Sequence, residues 1–516
     1  MHSQTTTYVL DGLRPRKVMI DVYANTGGSA FTVYGLKPGA GLPLQALVRG
    51  AIKSSGFTFP GDRHVSVRVS AADGRPNGGE GMALPIALGI LTATGQLGRD
   101  TLAGLALAGN MLEDGTIAAV RGALQMAEAV AEDPDLRSFA VASECASEAA
   151  CAGGVEVLQL YSLAATRYIS GEERDRLHPQ RRALPSCPDL GGPDFGYLRG
   201  LGHARRAAEI AAAGDHSLLL SAPRGAGQAA VARRVPSILP PLSRFEALEV
   251  LRIASSEGTG SAASGRPFRS VAATTSIAHM LGSGSPLSPG EVTLAHNGVL
   301  YLEQLEKFDI EILRALAASR SGGRTFVGSP PQALPSSFVL LASAHHCPCG
   351  NLGSGELSCS CAAPAVERHL ARRDAVAEQM DLVCNFEPPS QTELDGSGGE
   401  PSCAIRSRVL ETRARQAARL GEGRTNRTMT IVETENCGLT AGAADALNRA
   451  LPYPDQVGRR VRIARVARTI ADLAGADQVD SFHLAEAIEL QLQPVGGDPA
   501  SRAMDPGNSP GVGPTS

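Results

Sequence analysis

Four cysteines carry the first chemical signal in the chain. Cys347 and Cys349 form one C-x-C pair, and Cys359 and Cys361 form another after nine intervening residues. Four thiolates at such spacing would make a tetrahedral Zn²⁺ site on a loop, whereas reduced, unmetallated thiols in a reducing compartment are the plainer reading. His345 and His346 adjoin the first pair and read either as further ligands or as packing residues. The other cysteines show no ligand spacing.

A second signal lies in HSLLLSAPRGAGQAAVARRVPSILPPL, residues 216–242. A short apolar strand leads into a Gly/Pro loop and then into a helix starting near Gln228. That layout is the one in which a backbone loop cradles phosphate. The pattern G-x-x-x-x-G-K-[ST] falls on Ala222, Pro223, Arg224, Gly225, Ala226, Gly227, Gln228 and Ala229. Only the second glycine, Gly227, is kept. Gln228 supplies no cation to phosphates, and the Ala229 methyl cannot ligate Mg²⁺. Taken by itself, the stretch reads as an ordinary Gly-rich turn.

The elements that must position these residues follow from composition and periodicity. The 516 residues are enough for about three domains. With 43% hydrophobic and 19% charged residues the chain reads as globular, and its 58 Gly and 33 Pro fit a turn-rich α/β protein. A net charge of −4 gives no global basic field. Residues 1–17 have no apolar segment, so no secretion signal is expected and the cytoplasm is the expected location. The uncharged run 81–98 holds Pro, Gln and several Gly, and reads as a buried helix rather than a membrane span.

Residues 8–170 read as a first α/β domain, with strands near 17–23, 30–34, 64–69 and 138–141 and helices near 43–54, 83–94 and 119–131. Residues 171–192 read as a linker. Residues 193–389 read as a second α/β unit, whose short apolar runs at 217–221, 298–302 and 337–343 suit a parallel sheet. Residues 390–494 read as mostly helical, and 495–516 as a disordered tail.

Several stretches together resemble the YifB/ComM family of Mg-chelatase-like AAA+ ATPases. They are PDFGYLRGLGHARRAAEIAAAGDHSLLL (193–220), ARRVPSILPPL (232–242), RPFRS (266–270), PGEVTLAHNGVLYLEQL (289–305), CPCG (347–350) and RVARTIADLAG (465–475). In the first domain, GFTFPGDRHVSVRVSAAD and LPIALGILTATGQL are similar to the family's Lon-protease-like domain. The resemblance implies a Lon-protease-like α/β N-terminal domain, a P-loop AAA+ parallel-sheet core and a C-terminal helical lid. It also implies ATP and Mg²⁺, a ring assembly and, in part of the family, hexameric motors that migrate DNA branches.

Each element of that machinery departs from the family pattern here. The strand that should end in Asp-Glu ends in Glu303-Gln304, and a neutral amide cannot act as a base. The polar sensor, Asn in the family's MNPCPCG, falls on His345. Gln379 lies where a DRID-like segment would carry a trans-acting arginine, and Gly458 where the lid would carry its sensor arginine, with Arg459 and Arg460 beside it. One lost preorganised donor typically costs about 10²–10³ in rate. An arginine finger is worth about 10³–10⁵.

The sequence is therefore expected to encode a pseudo-ATPase, with nucleotide binding weak or absent around Gly225, Gly227 and Arg224. Its role would be that of a non-catalytic subunit or scaffold in a homo- or hetero-oligomeric ring, assembled with an active paralogue. The alternative is a divergent, working ATP-dependent DNA motor. Arginines between 406 and 427 and between 459 and 468 read as a solvated face or, on that alternative, as a DNA-facing pore. No lysine stands in the Lon-like dyad region at 121–125, and Gly81-Met82-Ala83 replaces the serine region, so no peptidase is expected. No membrane partner is expected.

Overall fold

Among the described residues, a seven-stranded sheet, a five-stranded sheet and three two-stranded ribbons accompany a C-terminal helical unit. The computed structural model describes residues 1–71, 80–171, 173–179, 192–260, 265–284, 287–329, 331–355, 357–452 and 456–492. The tail 495–516 and most of the 171–192 stretch lie outside the described residues.

The first sheet contains β1 (His2–Asp11), β2 (Arg14–Thr26), β3 (Phe31–Tyr34), β4 (Arg63–Ala71), β5 (Leu105–Ala108), β6 (Ser138–Ala142) and β7 (Glu156–Leu160), in the order β3-β4-β2-β1-β5-β6-β7. Strict alternation in β2 sends Val18, Ile20, Val22 and Ala24 inward, and Val65, Val67 and Val69 of β4 share that face. Helix α1 (Gly41–Ser54) is amphipathic, burying Leu44, Val48, Ala51 and Ile52. Helix α2 (Ala83–Ala93) is buried along its whole length, which explains the uncharged run in the sequence. No helix among the described residues is long and apolar enough to cross a membrane.

The strand β1 was not legible from hydrophobicity, since it reads HSQTTTYVLD. Its small hydroxyls are used against α2: Ser3 Oγ donates to Gly89 O at 2.6 Å, and Thr5 Oγ1 to Pro85 O at 3.2 Å. Helices α3 (Ala123–Glu132) and α4 (Ser143–Ala149) lie on the same domain. The described part of the 171–192 stretch is packed, with Arg174 paired to Glu156 at 2.6 Å and Leu177 buried.

After α5 (Gly202–Gly214), the second sheet contains β8 (Leu218–Ser221), β9 (Phe268–Ala272), β10 (Gly298–Glu303), β11 (Phe338–Ala344) and β12 (Leu382–Asn385). Its order is β9-β10-β11-β8-β12 and every pairing is parallel. Short α6 (Gln228–Ala232) and α7 (Val235–Ile238), then α8 (Arg244–Ser256), α9 (Ile310–Gly322) and α10 (Ala363–Ala377), connect the strands. The chain runs from β8 to the far edge and returns past β8 to β12, so the strand order reverses between β8 and β11. In open parallel sheets the crevice at the carboxyl ends of two such strands is where ligands bind. This mixed α/β architecture with a parallel-sheet core and C-terminal helices agrees with the fold expected from the sequence.

Helices α11 (Ser402–Leu420), α12 (Ala441–Ala450), α13 (Val457–Leu473) and α14 (Ser481–Leu492) form the C-terminal unit. Ile405, Val409, Ile463, Val466 and Ile470 join the alanine-rich face of α5 in one apolar core with β8 and β12. His216 is buried at that seam, its Nε2 2.7 Å from Thr469 Oγ1. Burial above all pushes its pKa down to about 4, with Arg320 and Arg427 adding to the effect and Asp381 and Asp215 opposing it. A histidine held neutral in this way contributes stability that is fully present above its unfolded value of about 6.5. We expect the melting temperature to fall as pH drops from about 6.5 toward 4, by up to about 1.4 kcal/mol per pH unit from this group. Thermal melts of wild type and His216→Gln across that range should show a shallower pH slope in the variant.

Candidate nucleotide site and cysteine cluster

The loop after β8 joins a parallel strand to a helix, and its Gln228 side chain is committed within the loop. Ala222 N donates to Ala344 O at 3.1 Å, anchoring the loop to the end of β11. Gly225 and Gly227 hold φ of +83° and +107°, a region glycine enters without steric cost. A Cβ on Gly227 would stand 2.9 Å from Leu201 Cδ1. Gln228, at the position of the motif lysine, is buried, and its Nε2 donates to Ala222 O at 2.8 Å and to Pro223 O at 3.1 Å. The amide thus ties the loop to itself where a cation would face phosphate.

The neighbouring strand end is equally committed. Glu303 accepts from Ser270 Oγ at 2.6 Å. Gln304 adopts φ of +59°, an uncommon conformation for a residue with a side chain, and its N–H donates to Ser343 Oγ at 3.2 Å. Lys307 Nζ donates to Gln304 Oε1 at 2.8 Å. The sequence reading missed Lys307, which a short 3₁₀ turn at Leu305–Lys307 folds back onto the site. His345 Nδ1 lies 3.5 Å from Gln304 Nε2. Burial first, then the charges of Lys307, His369 and Arg224, push the His345 pKa down to about 4, so its imidazole is neutral at pH 7.

The four cysteines of the two C-x-C pairs meet. Their sulfurs all lie within 4.8 Å of one another, and they are the group among the described residues able to hold a metal ion. Sγ separations are 3.4 Å for Cys347–Cys349, 3.7 Å for Cys349–Cys359 and 3.6 Å for Cys359–Cys347. A tetrahedron with Zn–S bonds of about 2.3 Å has sulfur–sulfur edges of about 3.8 Å, close to this spacing. Leu352 N donates to Cys347 Sγ at 3.3 Å. Neither His345 nor His346 belongs to the cluster.

This cysteine loop sits on the phosphate loop. Arg224 N donates to Gly350 O at 2.8 Å. Gly350 has φ of +84°, and a Cβ there would lie 3.0 Å from Arg224 Cβ; one on Gly353 would lie 3.4 Å from Pro223 Cγ. Loop, strand end, His345 and cysteines therefore form one neighbourhood.

Gln379 and Gly458 belong to segments that meet each other, through Arg459 and Glu378 at 3.5 Å. Gln379 itself is exposed in the turn after α10, while Asp381 beyond it accepts from Ser217 N at 2.8 Å and Ser217 Oγ at 2.9 Å. Arg460 reaches Leu451 O at 2.9 Å. The arginines of the helical unit are mostly engaged within the chain. Arg408 pairs with Glu209 at 2.6 Å, Arg424 with Glu433 at 2.7 Å, Arg427 with Asp215 at 2.7 Å, and Arg419 with Asp472 at 2.7 Å. Beside the first sheet, Met82 and Ala83 are buried, and Gln125 Nε2 donates to Arg252 O at 2.7 Å, so helix α8 packs against the start of α3.

Three family models match the chain: magnesium chelatase, subunit ChlI, over residues 194–394; its C-terminal counterpart over 399–491; and subunit ChlI of Mg-chelatase over 20–144. The competence protein ComM of Haemophilus influenzae is 30% identical over 493 residues, covering 92% of this chain and 95% of that protein. YifB of Salmonella typhimurium is 30% identical over 498 residues, with 93% and 95% covered. YifB of Escherichia coli is 29% identical over 496 residues, with 93% and 95% covered.

Proposed function

The chain belongs to the Mg-chelatase-like family of ComM and YifB, and from that membership we propose that it serves as a non-hydrolysing member, a subunit or scaffold in a ring built with an active paralogue. The observation that carries this reading is the Gln228 amide, spent on Ala222 O and Pro223 O in place of a lysine. The donors present do not fit Mg·ATP. Ala229 offers no hydroxyl, Glu303 is tied to Ser270, and Gln304 is neutral and held by Lys307. No hydrolytic step is derived through this pocket. Because ComM is named a competence protein, a DNA motor is the competing reading. The internal pairing of Arg408, Arg419, Arg424 and Arg427 favours the scaffold over a basic DNA-facing surface. We further assign Zn²⁺ to the four thiols as a structural ion, which accords with the reducing cytoplasm expected for this chain.

Phosphate release from Mg·ATP is expected to match that of a Gln304→Ala variant. Turnover that depends on Mg²⁺ and is abolished by Gln304→Ala would overturn the reading. The quadruple change Gln228→Lys, Ala229→Thr, Glu303→Asp and Gln304→Glu is expected to raise the rate by at least about 10², since each group restored is worth that much where it is preorganised.

A further inference from the structure

We propose that a thiophilic divalent metal held by Cys347, Cys349, Cys359 and Cys361 takes over from nucleotide the task of ordering the phosphate loop. This rests on the assignment of Zn²⁺ to those four thiols. In a phosphate loop that binds nucleotide, backbone N–H groups are organised around phosphate oxygens. Here the Arg224 N–H is directed at Gly350 O, a carbonyl between the two cysteine pairs in sequence and one residue past Cys349. The remaining internal bonds, Ala226 N to Pro223 O and Gln228 Nε2 to Ala222 O and Pro223 O, close the loop without any anion.

The cysteine loop has little else to hold its shape. Between Cys347 and Cys361 the described residues form no helix or strand, and Pro348, Leu352, Gly353, Leu357, Ser358 and Ser360 are exposed. Apart from the Arg224 N–Gly350 O bond, its backbone-donor hydrogen bonds are short-range: Gly350 N to Cys347 O, Ser354 N to Asn351 O, Leu352 N to Cys347 Sγ, and the mutual pair of Ser354 and Leu357. A segment of this kind is fixed by its cross-link, and four sulfurs already at near-tetrahedral spacing supply the ligands for one. Gly350 and Gly353, where an added Cβ would come within 3.0 Å of Arg224 and 3.4 Å of Pro223, both lie inside the segment that the metal would close. Metal occupancy therefore propagates into the Ala222–Gly227 loop through the Gly350 carbonyl that accepts from Arg224 N.

The test uses the full chain purified without a histidine tag. Elemental analysis is expected to find one Zn²⁺ per chain. Hydrogen–deuterium exchange of peptides spanning 222–229 is then compared for protein as purified, stripped with chelator, and refilled with Zn²⁺, each with and without Mg·ATP. Stripping should speed exchange at the Arg224 amide by at least about ten-fold, refilling should restore it, and Mg·ATP should neither slow exchange in the metal-bound protein nor rescue the stripped one. Cys359→Ser with Cys361→Ser should behave as stripped protein; if that variant fails to fold, the stripping and refilling of wild type still decides. Bound Zn²⁺ whose removal leaves 222–229 unchanged would overturn this inference while sparing the metal assignment. Protein that retains no metal on purification and takes up none would overturn both.

Discussion

Replacing Asp472 with asparagine is expected to destabilise the C-terminal helical unit by about 3–5 kcal/mol, the usual cost of removing one partner from a buried ion pair. The Asp472 carboxylate is 1% exposed and accepts from Arg468 Nε at 3.0 Å, Arg419 Nη2 at 2.7 Å and Asn426 Nδ2 at 2.8 Å. Arg468 is itself only 3% exposed, so water cannot compensate its charge once the carboxylate is gone. An amide of the same shape leaves two guanidinium groups facing a neutral acceptor across α11 and α13. The chain has several structural units, so a single unfolding free energy is not the right readout. Exchange protection of α13 should drop sharply while that of β2 in the first sheet stays as in wild type. Unchanged protection in α13 would mean that the carboxylate is not what compensates the two cations.

The second large effect is expected at Gly298. A Cβ there would lie 2.1 Å from Pro267 O and 2.8 Å from Pro267 C, backbone atoms with no freedom to retreat. Val299 N donates to that same Pro267 O at 2.8 Å, so the clash falls on the bond that starts the β9–β10 pairing. Overpacking against side chains costs about 1–3 kcal/mol, and against fixed backbone more. Gly298→Ala should therefore lower stability by about 3 kcal/mol or more and shift β10 relative to β9. Since β10 carries Glu303 and Gln304, loss of the Ser270–Glu303 bond should accompany it. A Gly298→Ala protein whose β9 and β10 amides keep wild-type exchange protection would contradict this.

How far the sequence could be read is visible residue by residue. The run 81–98 was legible as a buried helix because all eleven residues of α2 are apolar or small enough to be enclosed. Three strands of the second sheet, β8, β10 and β11, were legible because strands buried on both faces are continuous apolar runs, whereas β9 (FRSVA) and β12 (LVCN) are too short or too polar to stand out. Strand β1 was not, because its burial rests on Ser3 and Thr5 satisfying helix carbonyls, which no hydropathy pattern records. At the site, the missing lysine and hydroxyl were plain in the eight residues from Ala222. What replaced their work was not. Gln228 folding back onto its own loop and Lys307 reaching Gln304 depend on χ angles and on the left-handed backbone at Gln304. The arginines were visible as a charge run, yet their partners are far away in the chain, as with Arg427 and Asp215 or Arg408 and Glu209. Spacing alone cannot distinguish a paired arginine from a free one.

The contact of α3 and α4 with α8 has a kinetic consequence. Arg252 forks onto Glu128, with donor–acceptor distances of 2.8 to 3.0 Å, Ser255 Oγ donates to Glu148 Oε1 at 2.8 Å, and Gly122 N donates to Ser255 O at 2.8 Å. Ser255 and Glu148 are both buried there. Swinging one sheet away from the other would uncover these groups before any new partner could reach them. Such motion belongs to rare local opening rather than to free hinge bending. On timescales shorter than such opening, the seven-stranded sheet follows the five-stranded one as a rigid passenger.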